Sequence, residues 1–203
     1  MGAHDPVALI LAAGRGTRLA DAGQSAPPPP KCLLRVGGQS LLERHLLRLR
    51  ECGIRSVTVA VGYEAKAVQA ELERVGHEVC VQTVYNPDFQ QGSLVTLWTA
   101  RELLLAGRPL LLMDADVLYD ARILERLIAS QADDALLIDR GFEPGDEPVK
   151  VCVSKGRVVE FRKQLPPELD FDVCGESVGF FRLSPESGRE LVRRSAAYLE
   201  AGR

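Results

Sequence analysis

The chain has 203 residues and a formal net charge of −3, and 46% of its residues are hydrophobic, 26% charged and 5% aromatic. This composition is typical of a soluble globular protein, and the small net charge with few aromatic residues argues against a nucleic-acid-binding surface. No apolar run approaches the roughly 18 residues of a membrane span, and the amino terminus lacks the basic-then-apolar order of a signal peptide. We therefore expect a cytoplasmic protein whose partners include neither nucleic acid nor a membrane.

Five cysteines are scattered through the chain, and no two of them form a C-x-x-C pair. They are Cys32, Cys52, Cys80, Cys152 and Cys174. An odd number without metal-ligand spacing indicates neither a zinc site nor a disulfide framework, and it is typical of free thiols in a reducing compartment.

The first predicted element is a strand from Val7 to Leu11, because a short continuous apolar run is typical of a strand buried on both faces of a parallel sheet. A loop of small residues follows, in which Gly14 and Gly16 permit backbone angles closed to other residues. Such a loop at the carboxyl end of a central strand lets several N–H groups point at an anion. The cationic side chains near it are Arg15, Arg18 and Lys31. Together they predict a phosphate-binding site.

The next hundred residues alternate between helix and strand patterns. Helices are predicted over 40–53, 64–75, 93–105 and 121–129, and strands over 56–61, 79–84, 110–113 and 135–138. Ser40 and Glu43 have the spacing of a capping box at the start of the first helix. This alternation indicates right-handed parallel crossovers. The last third differs, with a hairpin around Ser154-Lys155-Gly156, a strand from Ser177 to Leu183 and a helix that begins at Ser184-Pro185. The predicted fold class is α/β, a doubly wound and mostly parallel sheet with an antiparallel β addition in the last third.

The segment from Leu11 to Leu19 has the pattern L-A-A-G-x-G-T-R-L, and Pro30-Lys31 follows it. A dinucleotide fingerprint would need a glycine at Leu19, and a P-loop would need Gly-Lys before Ser or Thr, which does not occur. The pattern resembles the nucleotidyltransferase superfamily that makes nucleotide sugars and CDP-alcohols. The resemblance implies a Rossmann-like nucleotidyltransferase fold in a single domain, 1–203, with a nucleotide-binding core over 1–138 and an acceptor side over 139–203.

The resemblance also implies which residues meet the nucleotide. The catalytic candidates are Arg18, Lys31 and Asp116, and the nucleotide-binding candidates are Leu11, Ala12, Ala13, Gly14, Arg15, Gly16, Thr17, Gly92, Ser93 and Asp114. Ser93 follows a Gln-Gly pair similar to the base-reading segment of the superfamily. Its hydroxyl could contact the base or only cap the helix that follows, and the two roles are compatible.

Asp114 and Asp116 stand at the end of a predicted buried strand. Two carboxylates there cost desolvation energy unless a cation compensates them, and Mg²⁺ held by a carboxylate and substrate phosphates is the expected compensation. The alternative, a loop start with a helix cap, is weakened because Asp120 already serves as a cap. Asp116 resembles the metal-binding aspartate of the superfamily, which makes Mg²⁺ the implied cofactor, and Asp114 would hold the ribose or support Asp116.

The last third resembles small bacterial cytidylyltransferases that act on phosphocholine, 2-aminoethylphosphonate or inositol 1-phosphate. The resemblance lies in Asp114-Ala115-Asp116 and in the segments 146–151 and 175–181. The acceptor-binding candidates are Asp146, Lys150, Lys163 and Glu176, with Asp139 and Asp172 as further acids for a cationic head group. Taken singly, each of these residues has the alternative role of a solvated surface charge.

The predicted function is therefore a Mg²⁺-dependent cytidylyltransferase that transfers CMP from CTP to a small phospho-alcohol or phosphonate and releases pyrophosphate. The alternatives are a sugar-1-phosphate nucleotidyltransferase using UTP or dTTP, and a nucleotide-binding module with little turnover. The superfamily takes a second metal-binding carboxylate from its carboxyl-terminal region, and nothing after Ser184 resembles it. We therefore expect this chain to bind CTP and to turn over slowly, unless a homodimer partner or a longer chain supplies that carboxylate.

Overall fold

The structure is a computed structural model that describes residues 5–16, 28–143 and 145–202, apart from the side chain at position 77. Its strands are β1 (Val7–Ala12), β2 (Arg35–Val36), β3 (Gln39–Ser40), β4 (Ser56–Val61), β5 (Cys80–Tyr85), β6 (Leu110–Asp114), β7 (Ala135–Asp139), β8 (Lys150–Ser154), β9 (Arg157–Arg162) and β10 (Val173–Leu183). Its helices are α1 (Leu41–Glu51), α2 (Ala65–Val75), α3 (Ser93–Thr99), α4 (Arg101–Leu105), α5 (Ala121–Ile128) and α6 (Pro185–Glu200). Across these ranges no helix combines the length and the apolar character that a membrane crossing requires.

The main sheet has the strand order β5-β4-β1-β6-β10-β8-β9, and β7 also pairs with β10. Strands β5, β4, β1 and β6 run parallel to one another. Strand β10 runs antiparallel to β6, β7 and β8, and β8 pairs antiparallel with β9. This arrangement confirms the predicted α/β class with antiparallel strands in the last third.

Helices cover both faces of the parallel strands. Ala8 and Ile10 of β1 face a buried cluster that includes α1, α2 and α5, whereas Val7 and Leu9 face a second cluster with α3, α4 and α6. The two clusters are separate because successive side chains of a strand point to opposite faces of the sheet. All four side chains are at most 1% exposed. The predicted strand was therefore correctly identified as buried on both faces, and its carboxyl end is fixed between two helical layers.

Three helix caps predicted from the sequence are present. Ser40 accepts a hydrogen bond from the backbone N–H of Glu43 at 3.0 Å, and Asp120 accepts one from that of Arg122 at 3.0 Å. Ser184 accepts one from the N–H of Ser187 at 3.1 Å, ahead of a proline at the start of α6. Each cap satisfies a backbone donor that the first helical turn leaves unpaired. These helix starts are therefore set locally.

Two predicted elements differ from the structure by more than one or two residues at their ends. The helix predicted over 93–105 is interrupted at Ala100, which has φ −92° and ψ 12° and separates α3 from α4. The strand predicted to begin at Ser177 begins at Val173, because residues 173–176 pair with β8. These four residues lack an apolar alternation, so only the partner strand identifies them as part of a sheet.

Candidate active site

Two adjoining cavities lie where β1 and β6 end. The first, which we call the loop cavity, has a volume of about 230 Å³ and is lined by Leu11, Ala12, Ala13, Gly14, Gly16, Lys31, Cys32, Phe89, Gly92, Ser93, Thr96, Asp114, Ala115 and Asp116. The second, the sheet cavity, has a volume of about 600 Å³ and is lined by Leu11, Ser93, Leu94, Leu97, Leu112, Asp114, Asp116, Val117, Glu147, Pro148, Val149, Phe161, Lys163, Glu176, Ser177, Val178, Gly179 and Phe181. Four residues, Leu11, Ser93, Asp114 and Asp116, line both.

The loop after β1 lies close against the side chain of Lys31. Gly16 has φ +65°, and a Cβ atom at this position would lie 2.7 Å from Cε of Lys31. Glycine therefore serves two purposes here, because it adopts the left-handed backbone and leaves room for the lysine stem. The Lys31 ammonium donates a hydrogen bond to Oδ2 of Asp116 at 2.9 Å. The loop and the end of β6 thus place a cation and a carboxylate in contact at the loop cavity.

This ion pair is accessible to solvent, with the Lys31 and Asp116 side chains 26% and 40% exposed. An exposed pair of this kind contributes at most about 1 kcal/mol to stability, because water screens it and two flexible side chains lose freedom. Both groups can therefore exchange their partner for a ligand at little cost. A lysine ammonium suits phosphate oxygens, and a carboxylate suits a divalent cation.

Asp114 lies deeper than Asp116 and has a different electrostatic environment. Burial, and to a smaller extent the charge of Asp116, raise the pKa of Asp114 to about 6, and Lys31 partly opposes both effects. The backbone of β10 lies directly against this carboxylate, since a Cβ atom on Gly179 would overlap Oδ2 of Asp114. Gly179 has φ +78°, within an irregularity of β10 between Ser177 and Phe181. Asp114 is therefore held between the parallel core and the last strand.

The donor set suits Mg²⁺ that arrives with a phosphate ligand. The described part of the chain contains no group of three or more His, Cys, Asp and Glu side chains that could hold a metal ion. Asp114 and Asp116 supply two carboxylates, and Mg²⁺ commonly binds one or two carboxylates with phosphate oxygens and water completing its shell. Burial is the main cause of the raised pKa of Asp114, and the neighbouring charge of Asp116 adds to it. A bound cation would stabilise the charged form of this carboxylate.

A buried asparagine holds the segment opposite the loop. Asn86 is 1% exposed, and its side chain donates to Oγ1 of Thr96 and accepts from the backbone N–H of Asp88, each at 2.9 Å. Gly92, with φ +105°, is the residue before the first turn of α3. Ser93 is therefore the first helical residue, and the alternative in which it caps the helix is wrong. Its remaining role is as a wall of both cavities.

The structure brings most of the predicted nucleotide residues together. Those that line the loop cavity are Leu11, Ala12, Ala13, Gly14, Gly16, Lys31, Gly92, Ser93, Asp114 and Asp116. Thr17 and Arg18 lie outside the described residues. Arg15 does not line either cavity, and its guanidinium carbon lies 5.8 Å from the centre of the Tyr63 ring. Arg15 therefore has an aromatic partner in this structure, and its contact with the phosphates stays a prediction.

The predicted acceptor residues divide into two groups. Lys163 and Glu176 line the sheet cavity, whereas Lys150 and Asp146 do not. The Lys150 ammonium donates to the backbone carbonyls of Gly145 and Lys163 and so joins two segments of the last third. Lys150 therefore contacts the main chain in this structure, and its contact with an acceptor stays a prediction.

The two further acids proposed for a cationic head group also have local partners. Asp139 accepts a hydrogen bond from the N–H of Gly141 at 2.8 Å, and Asp172 accepts one from the N–H of Lys155 at 2.5 Å. Neither lines the sheet cavity. Both carboxylates therefore stabilise turns in this structure, and their contact with a cationic head group stays a prediction.

Several residues that line the cavities were not predicted from the sequence. Phe89 lines the loop cavity, and Glu147, Phe161 and Phe181 line the sheet cavity. The two phenylalanine rings have centroids 6.0 Å apart on neighbouring parts of the sheet. Glu147 forms an ion pair with Lys163, with 3.3 Å between Oε2 and Nζ. Side chains alternate between the two faces of a strand, so Phe161 and Phe181 could have been predicted to share a face of the sheet. That prediction would have required the pairing of β9, β8 and β10 to be known.

Comparisons with known proteins agree with this geometry. The sequence model of the MobA-like NTP transferase domain matches residues 8–168. The inositol-1-phosphate CTP transferase from T. maritima is similar in structure, with a TM-score of 0.69 over 93% of this chain and 74% of that one, at 22% sequence identity. This likeness shows that the fold is shared.

Three curated proteins are similar in sequence. A bifunctional IPC transferase and DIPP synthase of Rubrobacter xylanophilus is 34% identical over 78% of this chain. A CMP-5'-(3-aminopropyl)phosphonate synthase of Streptomyces rubellomurinus is 33% identical over 68%, and an N-acetylmuramate alpha-1-phosphate uridylyltransferase of Neisseria meningitidis serogroup B is 33% identical over 56%. The matched regions span 35%, 21% and 48% of the lengths of these relatives.

Proposed function

The chain belongs to the MobA-like NTP transferase domain family, and from that premise we propose that it is a Mg²⁺-dependent cytidylyltransferase. An oxygen of a phosphorylated alcohol or phosphonate attacks the α-phosphorus of CTP, the bond from that phosphorus to its bridging oxygen breaks, and pyrophosphate leaves. The observation that carries the proposal is the contact of Lys31 with Asp116 beside Asp114, facing the small-residue loop after β1.

Each group has a distinct part in this reaction. The loop N–H groups and Lys31 hold the triphosphate and stabilise the charge that develops on the departing pyrophosphate. Arg18, assigned by resemblance, adds a second cation. Asp116, with Asp114 beside it, would hold Mg²⁺, which when bound neutralises phosphate charge. The protein forms no covalent intermediate in this scheme, so the rate depends on positioning and charge stabilisation.

The loop cavity would receive the nucleotide and the sheet cavity the acceptor. The two cavities share Asp114 and Asp116, so an acceptor oxygen and the α-phosphorus could meet beside both carboxylates. Phe161 and Phe181 offer apolar area to the carbon part of an acceptor, and Lys163 offers charge to its phosphate or phosphonate. CTP and a phosphonate-type acceptor are favoured because one relative is a CMP-phosphonate synthase.

A second candidate is a sugar-1-phosphate nucleotidyltransferase using UTP or dTTP. The observation in its favour is the similarity to the uridylyltransferase of Neisseria meningitidis. A nucleotide-binding module without turnover is a third possibility, but the charged pair Lys31–Asp116 that turnover needs is in place.

A pyrophosphate-release screen tests the proposal. Each nucleoside triphosphate is combined with Mg²⁺ and a panel of phospho-alcohols, aminoalkylphosphonates and sugar 1-phosphates, and melting temperature is followed with each nucleotide alone. We expect the largest thermal shift with CTP and pyrophosphate release only with phospho-alcohols or phosphonates. A larger shift with UTP or dTTP and turnover of a sugar phosphate would select the second candidate. If a nucleotide binds but no acceptor leads to pyrophosphate release, the result would support the nucleotide-binding module without turnover.

A further inference from the structure

Two of the five cysteines meet across neighbouring strands. Cys152 on β8 is directly opposite Cys174 on β10, and their Sγ atoms are 3.5 Å apart. Both cysteines are free thiols in this structure. We propose that Cys152 and Cys174 form a reversible disulfide bond when the protein meets a hydroperoxide, and that this bond ties β8 to β10. The proposal does not rest on the proposed function.

The strand register suits such a bond. Ser177 donates its backbone N–H to the carbonyl of Val149, its opposite residue, at 2.8 Å, which marks a hydrogen-bonded pair. Opposite pairs alternate along antiparallel strands, so the cysteine pair, three positions away, is of the non-hydrogen-bonded kind. Such pairs have Cα atoms about 4.5 Å apart, within the range of roughly 4.4–6.8 Å that disulfides span. The sulfurs must close by about 1.5 Å to reach bonding distance.

The two thiols differ in access to solvent. Cys152 is completely buried, and burial raises the pKa of its thiol to about 11. Cys174 is partly exposed. Cys174 is therefore the sulfur that a small oxidant reaches first, and Cys152 is the resolving sulfur behind it. Cys80, an exposed cysteine, is remote from this pair, since it lies on β5 at the opposite edge of the sheet.

The chemistry proceeds in two balanced steps. The Cys174 sulfur attacks one oxygen of the hydroperoxide, the O–O bond breaks, and sulfenic acid and an alcohol (water from hydrogen peroxide) are formed. The Cys152 sulfur then attacks the Cys174 sulfur, the S–O bond breaks, and water leaves with the proton of Cys152. Two thiols lose two electrons and the peroxide gains them. A thiol reductant reverses the bond by exchange.

Mass spectrometry of the full chain treated with hydrogen peroxide tests the proposal. We expect the intact mass to fall by about 2 Da and a thiol reductant to restore it. A tryptic digest without reductant should contain the peptide of residues 151–155 joined to that of residues 164–182, which carry the two cysteines. Cys80→Ser is the matched control and should still form the joined peptide. Cys174→Ser, at the partly exposed position, should fold and should not form it.

Thermal melting supplies a second readout. The bond closes a loop between residues 22 positions apart, which restricts the unfolded chain. We expect the oxidised protein to melt roughly 5 °C above the reduced one, and Cys174→Ser to show no such difference. Sulfenic or sulfinic acid at Cys174 without the joined peptide, or linkage only between two chains through Cys80, would overturn the proposal. A joined form that melts no higher than the reduced form would overturn the tie between the strands.

Discussion

The loop cavity and the sheet cavity differ in how their walls are made. In the loop cavity, residues 11–14 and Gly16 supply part of the wall, and the small side chains after Leu11 leave the main chain accessible. In the sheet cavity, the wall comes from side chains of α3, β6, β9, β10 and the segment 147–149. Both cavities take their walls from several segments, but the loop cavity includes a stretch of small residues that exposes the main chain, whereas the sheet cavity is lined mainly by larger side chains. We infer that the first binds a common group through the main chain, and that the second selects its ligand through side chains.

The largest effect should come from the cation that the loop cavity presents. We expect Lys31→Ala to reduce pyrophosphate release by roughly 10²–10³-fold, because a preorganised charge that stabilises the transition state is lost. Stability should change by less than about 1 kcal/mol, since the pair with Asp116 is exposed. Steady-state rates and thermal melting measure both. Lys66→Ala, an exposed lysine on α2, is the control and should be neutral. A near-normal rate for Lys31→Ala would remove Lys31 from the chemistry.

The next effect concerns Gly179, where the walls of the two cavities meet at Asp114. We expect Gly179→Ala to lower turnover by roughly 10–100-fold, since a Cβ atom would displace the Asp114 carboxylate and small misplacements are costly. Gly156→Ala is the matched control, because Gly156 has φ +75° with open space around it. Both variants should lose about 1 kcal/mol from the left-handed backbone, and only Gly179→Ala should lose activity beyond that. Equal activity in the two variants would show that Gly179 does not position Asp114.

A smaller effect should separate the cavities by substrate. We expect Phe161→Ala to raise the KM for the acceptor roughly 10-fold and to leave the KM for CTP unchanged, because it removes apolar area from the sheet cavity alone. Val158→Ala on the same strand is the control, since Val158 is 49% exposed and lines neither cavity. Initial rates at varied concentrations of each substrate measure the two constants. A change in the KM for CTP alone would reverse the assignment of the cavities.

The smallest effect is one of stability. The pKa of Asp114 is raised to about 6, above its usual value near 4, so the folded state binds more protons than the unfolded state between these values. Stability therefore falls as pH rises through this window. We expect Asp114→Asn to be more stable than the wild type by roughly 1–2 kcal/mol at pH 8, with the difference vanishing below about pH 4. Thermal melting across pH measures it. An Asn variant that is less stable at pH 8 would show that the Asp114 carboxylate is compensated.

The same Asn variant connects stability to function. If Asp114 supports the metal site, Asp114→Asn should lose most of the thermal shift that CTP and Mg²⁺ produce, while it gains stability without them. Retention of the full shift would place Asp114 outside nucleotide binding.

The sequence by itself determined the parts that depend on near neighbours in the chain. The apolar run of β1, the left-handed Gly16 after it and the caps at Ser40, Asp120 and Ser184 were predicted correctly, because strand burial, left-handed turns and capping hydrogen bonds involve residues a few positions apart. The two aspartates at the carboxyl end of β6, Asp114 and Asp116, were also identified from the residues beside them in the chain. Their position at the loop cavity followed from the rule that ligands gather at the carboxyl ends of parallel strands.

Only the tertiary structure decided what depends on the order of the strands. Three features require β10 to lie between β6 and β8. They are the residue at which β10 begins, the close approach of Gly179 to Asp114, and the contact between Cys152 and Cys174. The same holds for the contact of the Lys150 ammonium with two carbonyls of the main chain. Strand order is set by the burial and hydrogen bonding of the whole sheet. A local pattern of residues records which face a strand buries and leaves open which strand lies beside it.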